Sequence, residues 1–278
     1  MKPRISIDWN EVWTDQYEQS SRCNGSEECA TIWASKERAR EFLEQTRQNP
    51  ERTGQILAGL PLTPETRLLD VGAGPGTLAI PLAATVAHVT AVEPAAGMVA
   101  VMEEMIADEG ITNISVVPRR WEEVDPQTDL DLPYDIVLAS YSLGMPDLRA
   151  AIETMCRASS RWVYLFWFAG TASWERPLID LWPSFHGTEY RCWPKADVLF
   201  NLLYSMGIYP NVECRPMEHI RRFPSLDVAV AEYRQQFDIQ NPDDERLLRA
   251  YLLRHLAVEN GEFVQREKNI RVKIWWEV

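Results

Sequence analysis

The stretch Arg67–Ile80, RLLDVGAGPGTLAI, decides how this chain is read. Leu68, Leu69 and Val71 bracket Asp70 and lead straight into three glycines in five residues, Gly72, Gly74 and Gly76. A short run that is apolar on both faces reads as a strand buried inside a parallel sheet. The glycines let the chain turn sharply after it and bring backbone close to a ligand that any Cβ would displace. Thr77 reads as the N-cap of a following helix, with Pro81 in its first turn, and free amides there suit a carboxylate or phosphate. The spacing is G-x-G-x-G, with Thr77 where a dinucleotide turn, G-x-G-x-x-G, has its third glycine. A purely structural turn is the bland alternative. Glu93 weighs against it: the acid ends the next apolar run 19 residues after Gly74 and can accept hydrogen bonds from both hydroxyls of an adenosine ribose.

Outward from this stretch the chain alternates. Apolar runs TRLLDV, HVTAVE, NISVVP, YDIVLAS and RWVYLFWF read as strands, with helices at Leu78–Ala84, Met98–Asp108 and Asp147–Ala158 between them. A helix over Pro194–Met206, a strand NVECRPMEHI and helices from about Ser225 and Pro242 follow, and Ile270–Trp276 alternates like a final strand. Residues 5–60 read as helical, including one helix over Thr31–Gln48. The predicted class is α/β: a Rossmann-like, doubly wound, mostly parallel seven-stranded sheet with an antiparallel C-terminal strand. Residues 1–60 are expected to form an N-terminal helical cap and 61–278 the main domain, with an aromatic-rich insertion at about 171–195.

The 278 residues carry a net charge of -13, which offers no basic footprint for a nucleic-acid backbone. Five scattered cysteines, Cys23, Cys29, Cys156, Cys192 and Cys214, read as reduced thiols. The N-terminus lacks the apolar core of a signal peptide, and the longest apolar stretch, Leu78–Val92, is too short to span a bilayer. These features point to a cytoplasmic protein. No cluster of ligand residues has strong metal spacing, so no metal is expected.

The ordered motifs LLDVGAGPGTLAIPLA, VTAVEPAAGMVAVMEE and YDIVLAS resemble those of class I S-adenosylmethionine-dependent methyltransferases, over roughly Arg67–Ala169. The resemblance implies that Asp70, Gly72, Ala73, Gly74 and Gly76 surround the methionine part of S-adenosyl-L-methionine. It implies that Glu93 holds the ribose, that Pro94 and Met98 lie against the adenine, and that Arg120 and Trp121 form the adenine-edge segment. Ser140 and Tyr141 would then face the amino-acid part and the methyl group. Many relatives have Asp in place of Arg120; Arg has no acceptor for the adenine amino group, so that contact must come from elsewhere.

The sulfonium is an activated methyl donor, so the main task is to align a nucleophile in line with the methyl–sulfur bond and exclude water. Tyr141 and His186 are the candidates for a direct catalytic role. Three aromatic groups could roof the site: Trp9, Trp13 and Tyr17 on one helix face, Trp33 on the next helix, and Trp174, Trp182 and Tyr190 in the insertion. Such a lid suits a flat, conjugated or partly apolar small molecule. Core packing is the competing explanation for the helical row, and simple exposure or packing the competing one for His186. Methyl transfer to a protein or nucleic acid is the alternative activity, and a non-catalytic, cofactor-binding regulatory protein the alternative class. The segment ASYSLG after the fourth strand lacks the N/D-P-P-[YF] motif of nucleic-acid enzymes. Trp275 and Trp276 are candidates for a homodimer interface.

Overall fold

The apolar runs do form strands, and what lies between them fixes which face each strand covers. The computed structural model describes residues 7–23, 29–47 and 50–278, and all their side chains except those of Cys23, Cys29 and Arg52. The readings of the extreme N-terminus, of Gln48 and of the Cys23 and Cys29 thiols fall outside the described residues. Helices α1 (Trp9–Cys23), α2 (Cys29–Ile32), α3 (Lys36–Arg47) and α4 (Pro50–Ala58) precede the sheet. Then follow β1 (Arg67–Val71), α5 (Ala79–Ala83), β2 (His88–Val92), α6 (Ala96–Asp108), β3 (Ile114–Val117), α7 (Pro126–Asp129), β4 (Tyr134–Ser140), α8 (Leu148–Ala158) and β5 (Ser159–Ala169). The remainder is α9 (Glu175–His186), α10 (Ala196–Ser205), β6 (Asn211–Phe223), α11 (Leu226–Gln236), α12 (Pro242–His255), β7 (Ala257–Glu259) and β8 (Glu262–Glu277).

The sheet order is β3-β2-β1-β4-β5-β8-β6, with β7 pairing β8 off this path. The first five strands are parallel, and β8 runs antiparallel to both of its neighbours. The described residues thus form eight strands where the sequence suggests seven. The extra one, β7, is too short and exposed to show a period, but the Asn260–Gly261 turn that joins it to β8, with φ of 52° and 86°, is a hairpin signal present in the sequence.

One face of the sheet is covered by α1, α8 and α10, whose Trp13, Met155 and Leu199 pack with Leu69, Val137, Leu165 and Ile274. On the other face, Ile56 and Leu60 at α4 and Leu82 of α5 pack with Leu68, Leu138, Tyr164 and Phe166. The N-terminal helices are therefore distributed around the sheet, with α3 against α6. The helix expected over Thr31–Gln48 breaks at Trp33–Ser35, where a Cβ on Gly97 would lie 2.6 Å from the carbonyl oxygen of Trp33. Helix α6 approaches too closely there for the first helix to continue.

β8 pairs β5 only as far as Ile270, opposite Ala169, whereas its pairing with β6 continues to Phe263. A ribbon of β6, β7 and β8 therefore projects beyond the carboxyl edge of the parallel strands. Helices α9, α11 and α12 pack on it through Leu178, Trp182, Phe223, Tyr233, Phe237, Leu248 and Leu252. About half of the aromatic insertion is thus helical, as α9, and packs in this unit.

Candidate functional site

The glycine turn sits where β1, β2 and β4 end. Gly72, Gly74 and Gly76 have φ of 73°, 59° and 83°, a region that L side chains rarely adopt. A Cβ on Gly72 would fall 2.3 Å from the Cβ of Ser142, and one on Gly76 would fall 2.9 Å from the Ile80 side chain. At Gly74 nothing lies within 4 Å, so this glycine faces open space. The Ser142 hydroxyl donates to the carbonyl of Val71 and ties the end of β4 to the turn.

The backbone donors of the turn are spent within the protein. Gly72 and Ala73 donate to the Val92 carbonyl at 2.8 and 3.1 Å, and Gly76 donates to Ala73 at 3.2 Å. Gly74 donates to Glu93 Oε2 at 2.8 Å, and residue 75 is proline. Thr77 is not a cap: Leu78 takes the N-cap position of α5, and the Thr77 hydroxyl is buried without a partner. With its amides engaged and a helix of only five residues behind it, the turn is not the phosphate cradle of a dinucleotide site.

Its chemistry is acidic. Asp70 is 1% exposed, and its Oδ2 is buried with no hydrogen-bond partner. Burial, and then the neighbouring Glu93, push its carboxyl up to about 7. Glu93 accepts from Gly74 and from Ala95, each at 2.8 Å, while burial pushes its carboxyl above the ordinary range. Two buried acids, one with an orphaned oxygen, around a turn with no donors to spare, suit a ligand that brings cations and hydroxyls.

The structure divides the other residues predicted from sequence. Met98 is buried in a cluster with Ala39, Leu43 and Ala95 against which Trp33 packs, so Trp33 lies at the α6 end of the site. Pro94 is exposed beside it. Arg120 is half-buried after β3, but the Trp121 indole is buried in the core and donates to the Ala151 carbonyl at 3.1 Å. Its side chain supports α8 and leaves only backbone to line a ligand. Ser140 ends β4, and Tyr141 follows with φ of 58°, strained for a bulky residue. The Tyr141 amide donates to Phe166 at 3.0 Å, and its ring lies 4.7 Å from that of Phe168.

The aromatic roof separates. Trp13 is wholly buried, its indole donating to Met145 at 2.8 Å, and is a core residue rather than a pocket wall. Trp9 packs on the same core, and the Tyr17 ring meets Trp193 at 5.1 Å. In the insertion, Trp174 touches Phe168 edge-on at 4.8 Å and thus stands beside Tyr141. Trp182 and Tyr190 face each other at 5.7 Å inside the ribbon unit. His186 is exposed in the last turn of α9, its ring 3.9 Å from Trp182. At 1.5 Å per residue it stands roughly 18 Å along the helix axis from Trp174, which touches Phe168. The role of base at the methyl group expected of His186 therefore falls at the opposite end of α9 from the corner at Tyr141.

Residues the sequence did not single out complete this end: Ser142, Phe168 and Arg271. The Arg271 guanidinium lies 4.8 Å over the Tyr141 ring and 5.9 Å from the Phe168 ring. The alternation of Arg271 and Lys273 with Val272 and Ile274 was the available signal, since it puts two cations on one face of a strand flanked on both sides.

A 3-2-1-4-5 parallel sheet closed by an antiparallel strand, with an acid-flanked G-x-G-x-G turn at its carboxyl edge, defines a class I nucleoside-cofactor fold. Residues 68–160 match the family model described as a methyltransferase domain. Over 228 residues the chain is 27% identical to an uncharacterized protein of Haemophilus influenzae, with 81% of each chain covered. It resembles the solved structure of YcgJ from Bacillus subtilis, with a TM-score of 0.56 at 14% identity, over 82% of this chain and 98% of that one. A Bacillus halodurans protein assigned as a methyltransferase superposes with a TM-score of 0.54 at 15% identity, over 83% and 98% of the two chains. At these identities the two structures speak for the fold alone. Residues 68–160 thus carry a methyltransferase domain on a class I Rossmann-like fold, and the chain is an enzyme. Its cofactor, S-adenosyl-L-methionine, fits the residues present: it brings cations to the unpartnered Asp70 oxygen and hydroxyls to the remaining acceptor positions of Glu93, over an open Gly74.

No helix among the described residues is long and apolar enough to cross a membrane. No group of three or more described His, Cys, Asp or Glu residues could hold a metal ion.

Proposed function

We propose that this enzyme methylates a small-molecule acceptor by in-line displacement, with the acceptor bound between the glycine turn and the ribbon unit. The observation that carries the reading is the pairing of two buried acids at the turn with an aromatic corner, Tyr141, Phe168 and Trp174, at the end of the neighbouring strands. Bound S-adenosyl-L-methionine supplies an electrophilic methyl group.

Asp70 holds the ammonium end of the cofactor, Glu93 the ribose hydroxyls, and Gly74 leaves room for backbone contact. Met98, with Pro94 beside it, flanks the adenine, and the backbone at Arg120 and Trp121 supplies its edge. Ser140 and Tyr141 border the methyl group. The strained Tyr141 fixes one wall of the reacting corner, and the ribbon helices exclude water from it. Alignment of this kind provides on the order of 7–11 kcal/mol of barrier reduction. Residues 61–278 form the catalytic domain in this reading, with the helices before it packed around its sheet.

The test has two arms. Isothermal titration of S-adenosylhomocysteine should show binding to the native chain and at least a tenfold loss for Glu93→Ala. Incubation with methyl-labelled S-adenosylmethionine and a fractionated cell extract should label the small-molecule fraction. Label confined to protein or nucleic acid would replace this reading with the macromolecular one.

A further inference from the structure

We propose that the methyl acceptor carries an anionic oxygen group, and that Arg271 holds it beside Tyr141. The inference rests on the small-molecule reading above and adds the charge class of the acceptor.

Arg271 Nε and Nη1 are buried and have no hydrogen-bond partner. The contacts with the Tyr141 and Phe168 rings offer the guanidinium charge a π-face, but no oxygen acceptor for its buried N–H groups. Arg271 as a whole is half-buried, but buried N–H donors of a cation without an acceptor are costly unless a ligand supplies one. Carboxylates and phosphates match a planar fork of donors, and arginine binds them in preference to lysine on that account.

The neighbours along the same face of β8 make Arg271 stand apart, because each of them has a partner. Gln265 accepts from the Tyr233 hydroxyl of α11 at 2.7 Å. Asn269 is bonded to Ser173 just before α9, donating to its hydroxyl at 3.0 Å and accepting from its amide. Lys273 donates to the Gly59 carbonyl just after α4 at 2.7 Å. Nearby, the buried Glu175 is paired with Lys195 at 2.6 Å. The ribbon helices therefore cover β8 up to position 269, and the end of α4 covers it from 273 onward. Arg271 falls in the gap between the two covers, at the level where Tyr141 leaves β4 and where the acceptor must stand. In a chain with a net charge of -13, an unpaired cation at that point is a selective feature for an anion.

His219 lies on the same face of the ribbon, its pairing partner on β8 being Glu267. Burial, then Arg221 and Arg271, hold its imidazole below the ordinary range, so it stays neutral and adds no competing positive charge.

The test separates the small-molecule fraction of a cell extract on an anion-exchange resin before labelling with methyl-labelled S-adenosylmethionine. Native enzyme should label a product from the retained, anionic acceptors. With that acceptor purified, Arg271→Met should lower kcat/KM at least 30-fold, mostly through KM, and Arg271→Lys about tenfold. Titration of S-adenosylhomocysteine should give both variants a Kd within twofold of native, which separates loss of the acceptor from loss of fold. Should Arg271→Met not fold, Arg271→Lys keeps the stem and the charge and carries the comparison alone. Phosphatase treatment of the retained fraction tells a phosphate from a carboxylate, and either supports the inference. Label confined to unretained acceptors, or an unchanged KM in both variants, would overturn it while leaving the small-molecule reading intact. Absence of label from every small-molecule fraction, with S-adenosylhomocysteine still bound, would remove that reading and this inference with it.

Discussion

The parallel half of the sheet and the ribbon that projects from it are built on opposite plans. In the first, β1 through β5 and the intervening helices follow one another along the chain, and each functional residue sits at a strand end a few positions from the motif that announces it. In the second, β6 and β8 are long strands, α11 and α12 lie between them in the chain, and α9 reaches them from before α10. The cofactor site belongs to the first plan and the proposed acceptor site to the join between the two. Local order makes the cofactor end readable and general, whereas the join is where the proposed acceptor site would set which molecule is methylated.

The largest expected effect strikes the parallel half alone. Trp13→Ala empties a fully buried indole site and leaves the Met145 carbonyl without its donor. Substitutions of this kind cost roughly 3–5 kcal/mol. Urea unfolding should show that loss, while the KM for an acceptor, measured well below the midpoint, stays within twofold of native. A shifted KM would mean that α1 lines the acceptor pocket after all.

Gly72→Ala comes next and is confined to the cofactor end. Its Cβ has no room beside Ser142, and φ of 73° adds strain. The affinity for S-adenosylhomocysteine should fall at least tenfold, as read by titration calorimetry. An unchanged affinity would mean that the turn does not bear on the cofactor.

How much of this was legible divides along the same line. Leu68–Val71, Gly72–Gly76, Glu93 and the strand at Tyr134–Ser140 announce themselves, because parallel strands are apolar on both faces and the turn needs glycine. Trp13 and Trp121 misled because an aromatic at a plausible position looks the same whether its indole nitrogen bonds to core backbone or faces a ligand. The alternation around Arg271 marked two cations on one face, but what sets Arg271 apart was not legible, because it depends on Asn269 and Lys273 having partners contributed by Ser173 and Gly59. Such satisfaction is a property of three dimensions. The Asn260–Gly261 hairpin, by contrast, could have been read from the sequence.

A subtler test uses pH to probe the buried acids. Asp70, with an ordinary value of 3.8 unfolded and about 7 folded, keeps a proton in the native state that the unfolded chain releases. Native protein binds more protons between these values, so its stability falls as pH rises through that window and levels off above it. Asp70→Asn lacks this loss: its melting temperature without cofactor should exceed native at pH 8, with the gap closing toward pH 4. Binding shows the opposite trend, because an ammonium beside Asp70 favours the carboxylate. The native Kd for S-adenosylhomocysteine should tighten from pH 6 to pH 8, and that of Asp70→Asn should stay flat. Parallel pH profiles for the two proteins would remove Asp70 from the cofactor site.

The smallest expected effect concerns the far end of the ribbon unit. His186 is exposed at the C-terminal turn of α9, while the start of that helix holds Trp174 against Phe168. If catalysis is confined to the join, His186→Ala should leave kcat and its pH profile within twofold of native, because His186 sits roughly 18 Å along the helix from Trp174. Trp174→Ala on the same helix should raise the KM for the acceptor severalfold by removing the wall beside Tyr141. The two variants share a helix and differ only in which end they touch. Equal effects would mean that the ribbon unit acts through its stability, and the distinction between a general cofactor half and a selective join would then fail at α9.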